Sequence, residues 1–271
     1  MKRILSRTAL TVSLLLPVYF AVAALGVKFG LWDWRLGLGT LIVAWGPPLL
    51  IAALILAGVA LIACLLKPPR VGVGTAVAAL VIPALGLGYM QYVRAQSAAI
   101  PPIHDVATDI QDAPAYSQAV MREREASGAN PIHPLTTPLG SIEAYKGPRF
   151  ADRHARSLGD IGREAYADLQ PLRVDAAPDR LFAVLREEAQ ERGWAVVTDD
   201  PASGAFEATA ETFWFGFKDD VAVRVRPGGA AGQLQVDARS TSRVGLSDMG
   251  ANAARLRDYL GDVSEALRAG G

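Results

Sequence analysis

The sequence predicts an α+β protein: a helix-grip-like antiparallel sheet with two amphipathic helices, preceded by three transmembrane helices. Three observations lead there. The first 95 residues hold three apolar runs, each about long enough to cross the ~30 Å hydrocarbon layer of a bilayer. From residue 171 onward, short stretches alternate apolar and polar residues with the period of two that marks half-buried strands. Two further stretches place apolar residues three and four apart, the stripe of a helix packed on one side.

The first run, residues 8–27, carries no charge and follows Lys2, Arg3 and Arg7. Its length favours a retained helix. Ala21-Val22-Ala23 resembles a cleavage site, so a removed signal peptide stays open as the second reading. A loop with Trp32 and Trp34 follows, rings of the kind that sit at a membrane interface. Residues 40–66 form the second run, with Pro47-Pro48 near its start expected to bend or delay it. Lys67-Pro68-Pro69-Arg70 reads as a basic turn, and residues 71–93 form the third run. There Gly74 with Ala78, and Ala84 with Gly88, offer small residues four apart for close helix packing. No Asp, Glu, Lys, Arg or His lies inside these runs, which argues for an anchor rather than an ion or proton pathway.

Charge divides the chain. Of the 27 basic and 27 acidic residues, those up to Arg94 hold eight basic and one acidic, leaving 19 against 26 and a balance of −7 beyond. An acidic domain is a poor nucleic-acid binder, because phosphate neutralisation supplies most of that affinity. The lysines and arginines flanking the runs favour an inner N-terminus and an outer, extracytoplasmic C-terminal domain. The one cysteine, Cys64, sits in an apolar run, so the domain has no thiol to oxidise.

Residues 96–170 are rich in proline and irregular, and are expected to wrap the folded domain that spans residues 171–271. Residues 103–109 suit a strand, and residues 116–126, with Arg122, Glu123, Arg124 and Glu125, a solvated helical turn or two. Leu172–Val174 reads as a strand. Pro178 suits a first helical position before the stripe of Leu181, Phe182, Leu185 and Ala189. Strands follow over residues 194–198, 205–213, 220–226 and 233–242, joined by turn-forming residues and so antiparallel. In the last of them Leu234, Val236 and Ala238 are expected to point inward, and Asp237, Arg239, Thr241 and Arg243 outward. A helix starting at Ser247-Asp248 closes the chain, with Met249, Ala253, Leu256, Leu260, Val263 and Leu267 on one stripe.

Two motifs, Phe213-Trp214-Phe215-Gly216-Phe217-Lys218-Asp219-Asp220-Val221 and the run from Arg239 to Asn252, resemble the domain-of-unknown-function family 1499. The resemblance covers residues 103 onward and is strongest after Leu172. The family is similar to bacterial envelope proteins and organelle relatives. The resemblance therefore implies an envelope domain, standing alone or behind a few membrane spans, here in a bacterial inner membrane with the domain on the periplasmic or other extracytoplasmic side. It implies no particular activity. Stand-alone members tend to carry an Asn-Cys-Val-Ser-Ser segment upstream that this chain lacks, so no cysteine role carries over.

The densest set of hydrogen-bonding side chains surrounds the last strand and helix. Arg239 and Arg243 beside a helix N-terminus at Ser247, Asp248 and Asn252 could receive an anion such as a phosphate headgroup or a carboxylate. The competing reading is internal pairing, with Asp219, Asp220 and Asp237 across neighbouring strands and Asp248, Asn252, Arg255 and Asp258 along the helix. Trp214 and its phenylalanines belong to the core by alternation, or form an apolar patch for lipid or a partner if exposed. Ser240 and Ser242 lack a nearby histidine and a nucleophile elbow. His104, His133 and His154 lack metal-ligand spacing, so no metal and no cofactor is expected. The expectation is an integral membrane module binding an envelope protein or an anionic lipid. The alternative is an envelope hydrolase or transferase using Asp219, Asp220 and His104.

Overall fold

The computed structural model describes residues 1–66, 68–230 and 232–269. Lys67 of the basic turn lies outside the described residues. The chain divides into two units, Met1–Ala99 with Thr212–Gly216, and Ile100–Glu211 with Phe217 onward.

The first unit holds three helices long and apolar enough to cross a membrane. They are α1 (Lys2–Lys28), a continuous helical stretch Arg35–Leu66 and α3 (Val73–Ala99). The middle stretch is wider-wound over Arg35–Ala44 and becomes the α-helix α2 at Gly46–Leu66. Pro47 and Pro48 have no N–H to donate to the turn before them, and the backbone there bonds in a π pattern, with Trp45 N donating to Thr40 O at 2.9 Å. Ala9, Ala57, Ala60, Ala76 and Ala79 pack together where the helices meet, and Ser13 donates to Ala79 O at 2.6 Å. Alanines make this approach rather than Gly74 and Gly88, beside which an added Cβ would meet nothing.

The second unit is built on a six-stranded antiparallel sheet. Its strands are β1 (Asp105–Ala107), β2 (Leu172–Asp175), β3 (Ala195–Asp200), β4 (Ala205–Glu211), β5 (Lys218–Pro227) and β6 (Gln233–Ser242). β3 to β6 form the meander that turn chemistry foretells. β1 and β2 lie end to end along the outer side of β6, opposite residues 239–241 and 233–236 respectively. Phe206, Ala208, Val221, Val223, Val236 and Ala238 are buried in the apolar core with α6 (Pro178–Glu191) and α7 (Ala251–Ala269). Leu181, Phe182 and Leu185 come from α6, and Leu256, Tyr259, Leu260 and Val263 from α7. Both helices carry the expected stripe, and Gly193, at φ +67°, ends the first one.

Three local expectations change. The aromatic run is not a strand: β4 stops at Glu211, and Gly216, at φ +66°, lets its N–H close a turn onto Thr212 O at 3.0 Å. Met249 is outside α7, exposed, at a left-handed φ of 57°, and the helix begins at Ala251. Residues 116–126 are not solvated throughout. Of the two α-helices between β1 and β2, α4 (Gln118–Ala126) and α5 (Leu158–Ala165), α4 is capped by Ser117 and buries Val120 and Arg124.

Candidate functional site

Alternation along β6 puts Val236, Ala238, Ser240 and Ser242 on the face toward α7, and Asp237, Arg239, Thr241 and Arg243 on the opposite face. The opposite face was expected to meet solvent. Instead Arg239 and Arg243 are each 5% exposed and Thr241 is 0%. The residues between Asp105 and His133 form a strap across it. The Tyr116 hydroxyl lies 2.9 Å from both Asp220 O and Thr241 Oγ1 and shares its one proton between them. Ser117 N donates to Glu207 Oε1 at 2.6 Å, and Asn130 N to Arg243 O at 2.7 Å.

Beneath the strap the charges pair. Arg239 makes a two-pronged contact with Asp105, Nε to Oδ1 at 2.9 Å and Nη2 to Oδ2 at 2.6 Å. It also donates to His133 O at 3.1 Å. Arg243 holds Asp220 through Nε at 2.9 Å and Nη2 at 2.7 Å, and reaches Glu123 at 3.0 Å. Arg124 meets the same Asp220 from the strap at 2.7 Å and gives its other nitrogen to Asn130 O at 2.8 Å. The Tyr116 ring lies between two guanidiniums, 5.5 Å from Arg239 and 5.8 Å from Arg124. Burial pushes its phenol far above the usual range. Each guanidinium thus has a carboxylate partner, as charge removed from water requires.

The face toward α7 carries a second polar cluster. Asn252 is fully buried on the helix stripe and uses both ends of its amide. Its nitrogen donates to His104 O and Ser242 Oγ, both at 3.0 Å, and its oxygen accepts from Ser240 Oγ and Arg255, both at 2.6 Å. Arg255 also binds Asp219 at 2.6 Å.

The predicted site residues therefore separate. Arg239, Arg243 and Asp220 lie under the strap, while Asp219 and Asn252 lie against α7. Asp248 caps α7 itself, accepting from Gly250 N at 2.8 Å and Asn252 N at 2.9 Å. Burial raises its pKa, opposed by those two N–H bonds. Ser247 accepts from Met249 N at 3.4 Å, and Trp214 stands exposed on the β4–β5 turn. The open anion receptor expected from Arg239, Arg243 and the helix start is not the arrangement observed: carboxylates of the chain already occupy both. Nor do Asp219, Asp220 and His104 converge. The first two face opposite sides of β5, and His104 Nδ1 is hydrogen-bonded to Tyr145 Oη at 2.9 Å.

Sequence reasoning missed Asp105, Tyr116 and Arg124, the strap's contributions. Tyr116-Ser117 ahead of a short helix was the available signal, an N-cap beside an aromatic.

A family model described as Protein of unknown function (DUF1499) matches residues 105–263, more than half of the chain. The chain belongs to this family. The DUF1499 match begins at Asp105, the carboxylate that Arg239 holds, and ends inside α7, so it takes in the strap, the sheet and both covering helices. The three apolar helices precede it. A comparison with curated proteins gives no match.

His104 supplies a pH prediction. Burial lowers its pKa, reinforced by Arg124, His133 and Arg239 and opposed by Asp105. A depressed folded pKa means the unfolded chain takes up the proton first, so His104 costs stability as pH falls below its unfolded value of about 6.5. The melting temperature of the full chain is expected to fall between pH 7 and 5, and more steeply than in His104→Gln. Equal slopes for the two proteins would remove His104 as the cause.

Proposed function

We propose that this chain is a membrane-anchored binding or structural module of the bacterial cell envelope, with its α+β domain on the extracytoplasmic side. The observation that carries this reading is the closed charged face. The arginines that sequence marks as an anion receptor are paired within the sheet with Asp105 and Asp220, while Glu123 to Arg243 and Arg124 to Asp220 pin the strap onto it. A pinned strap is a rigid platform, and rigidity lowers the ordering cost of binding. The extracytoplasmic placement is supported by the flanking lysines and arginines. The ligand would be an envelope protein or an anionic lipid meeting the strap's outer surface. There a cavity of about 430 Å³ opens beside Met121, Arg122 and Asn130, with Arg124 in its lining.

Placement is tested with a single cysteine at Ser203, on the exposed β3–β4 turn, in a Cys64→Ala background. An impermeant maleimide should label it in intact spheroplasts; labelling only after lysis would put the domain inside. Native mass spectrometry of gently extracted protein should then show a stoichiometric adduct. A bare monodisperse species would leave the structural role alone.

A further inference from the structure

We propose that the β4–β5 turn is a second, interfacial membrane contact, in which Phe213 and Trp214 sit among lipid headgroups and upper acyl chains. The two rings are 72% and 53% exposed and stand edge to face, 5.2 Å apart, at the tip of a hairpin. Two large adjacent aromatics in water are a poor outcome for a soluble surface, because each leaves apolar area unburied. The turn joins Glu211 and Lys218, the exposed ends of two strands that are buried over Phe206–Ala210 and Asp219–Val223, so the hairpin is packed beyond its tip.

The occupant is argued from the company this turn keeps. Thr212–Gly216 belongs to the same unit as the three apolar helices. Within that unit the ammonium of Lys28, at the end of α1, donates to Phe213 O at 2.8 Å and lies 5.0 Å from the centre of the Phe213 ring. A lysine at the end of a spanning helix marks the level where hydrocarbon gives way to headgroups. An aromatic pair held at that lysine is therefore at the depth where a tryptophan ring is stable, apolar body inward and polar edge toward water, with the wholly apolar Phe213 ring reaching the upper acyl chains beside it. Trp214 also offers an indole N–H, which headgroup phosphate or carbonyl oxygens can accept.

This proposal rests on the helices being membrane spans, but not on which side the domain occupies. The test uses the full chain, Cys64→Ala, in vesicles of phosphatidylcholine with phosphatidylglycerol, with one nitroxide label at a time. Labels go at Trp214→Cys on the tip, at Ser203→Cys, and at Ile55→Cys, an exposed position in α2. β4 separates the tip from Ser203 by seven residues of strand. Each label's collision rate is read with dissolved oxygen, which concentrates in lipid, and with a water-soluble nickel chelate. Oxygen should dominate at 214 and 55, and the chelate at 203. Chelate dominance at 214 with oxygen dominance at 55 would overturn the tip contact and leave the spans standing. Chelate dominance at 55 would instead overturn the spans. Exclusion of both reagents at 214 would mean that protein covers the tip, and would also overturn the proposal.

Discussion

Asp220→Asn is expected to destabilise the domain by about 3–5 kcal/mol, the cost of removing one partner from a buried ion pair. Asp220 is fully buried and serves two arginines at once, Arg243 from β6's end and Arg124 from the strap. The amide keeps the shape and loses the charge. Arg243 retains Glu123, which is half-exposed, but Arg124 keeps only the carbonyls of Thr241 and Asn130. A buried guanidinium without a counter-charge is the costly product. For a protein of this size that loss is roughly 6–20 °C in melting temperature. The control is Asp112→Asn, which loses only solvent-screened contacts to Arg224 and Arg226 and should leave the melting temperature nearly unchanged. Melting temperatures of the two proteins in the same detergent decide it. Equal small shifts would mean the strap is not held by this carboxylate.

Arg239→Met carries the second large effect, again about 3–5 kcal/mol, because it strands Asp105 under the strap. The informative protein is the double variant, Asp105→Leu with Arg239→Met. Buried ion pairs are often replaceable by apolar side chains of similar volume at little net cost, since desolvation offsets most of their attraction. Thr241, which donates to Asp105 Oδ1 at 2.7 Å, still has the Tyr116 hydroxyl at 2.9 Å. The double variant should therefore recover at least ~1 kcal/mol relative to the sum of the single variants. Additive losses would show that Asp105 and Arg239 do not act as a pair. Both experiments bear on function, since loss of binding in either variant without a melting curve would look like loss of a ligand contact.

Local pattern made much of the fold legible. The stripes of α6 and α7, the period of two in β5 and β6, Pro178 at a helix start and Gly193 at its end are properties of neighbouring residues, and they report burial on one side directly. The three apolar runs are equally local, because a bilayer's thickness sets their length. The pairing of Asp220 with Arg243, and the bonding of Asn252 to Arg255, were also within reach of strand register and helix spacing.

What local pattern could not carry was the burial of polar groups. Alternation says that Arg239, Thr241 and Arg243 share a face, and a charged face reads as a wet one. Only the tertiary structure decides that residues 105–133, more than a hundred positions earlier, lie across it and bring Asp105, Tyr116 and Arg124 to the guanidiniums. The same limit applies to Thr212–Gly216, whose aromatic run looks like strand until Gly216 turns it and leaves Phe213 and Trp214 exposed. By itself the sequence determined the three helices long and apolar enough to cross a membrane, the fold class and the identity of the polar residues. Which of those residues face water was decided by contacts distant in the chain, because a buried charge depends on a partner whose position no local period records.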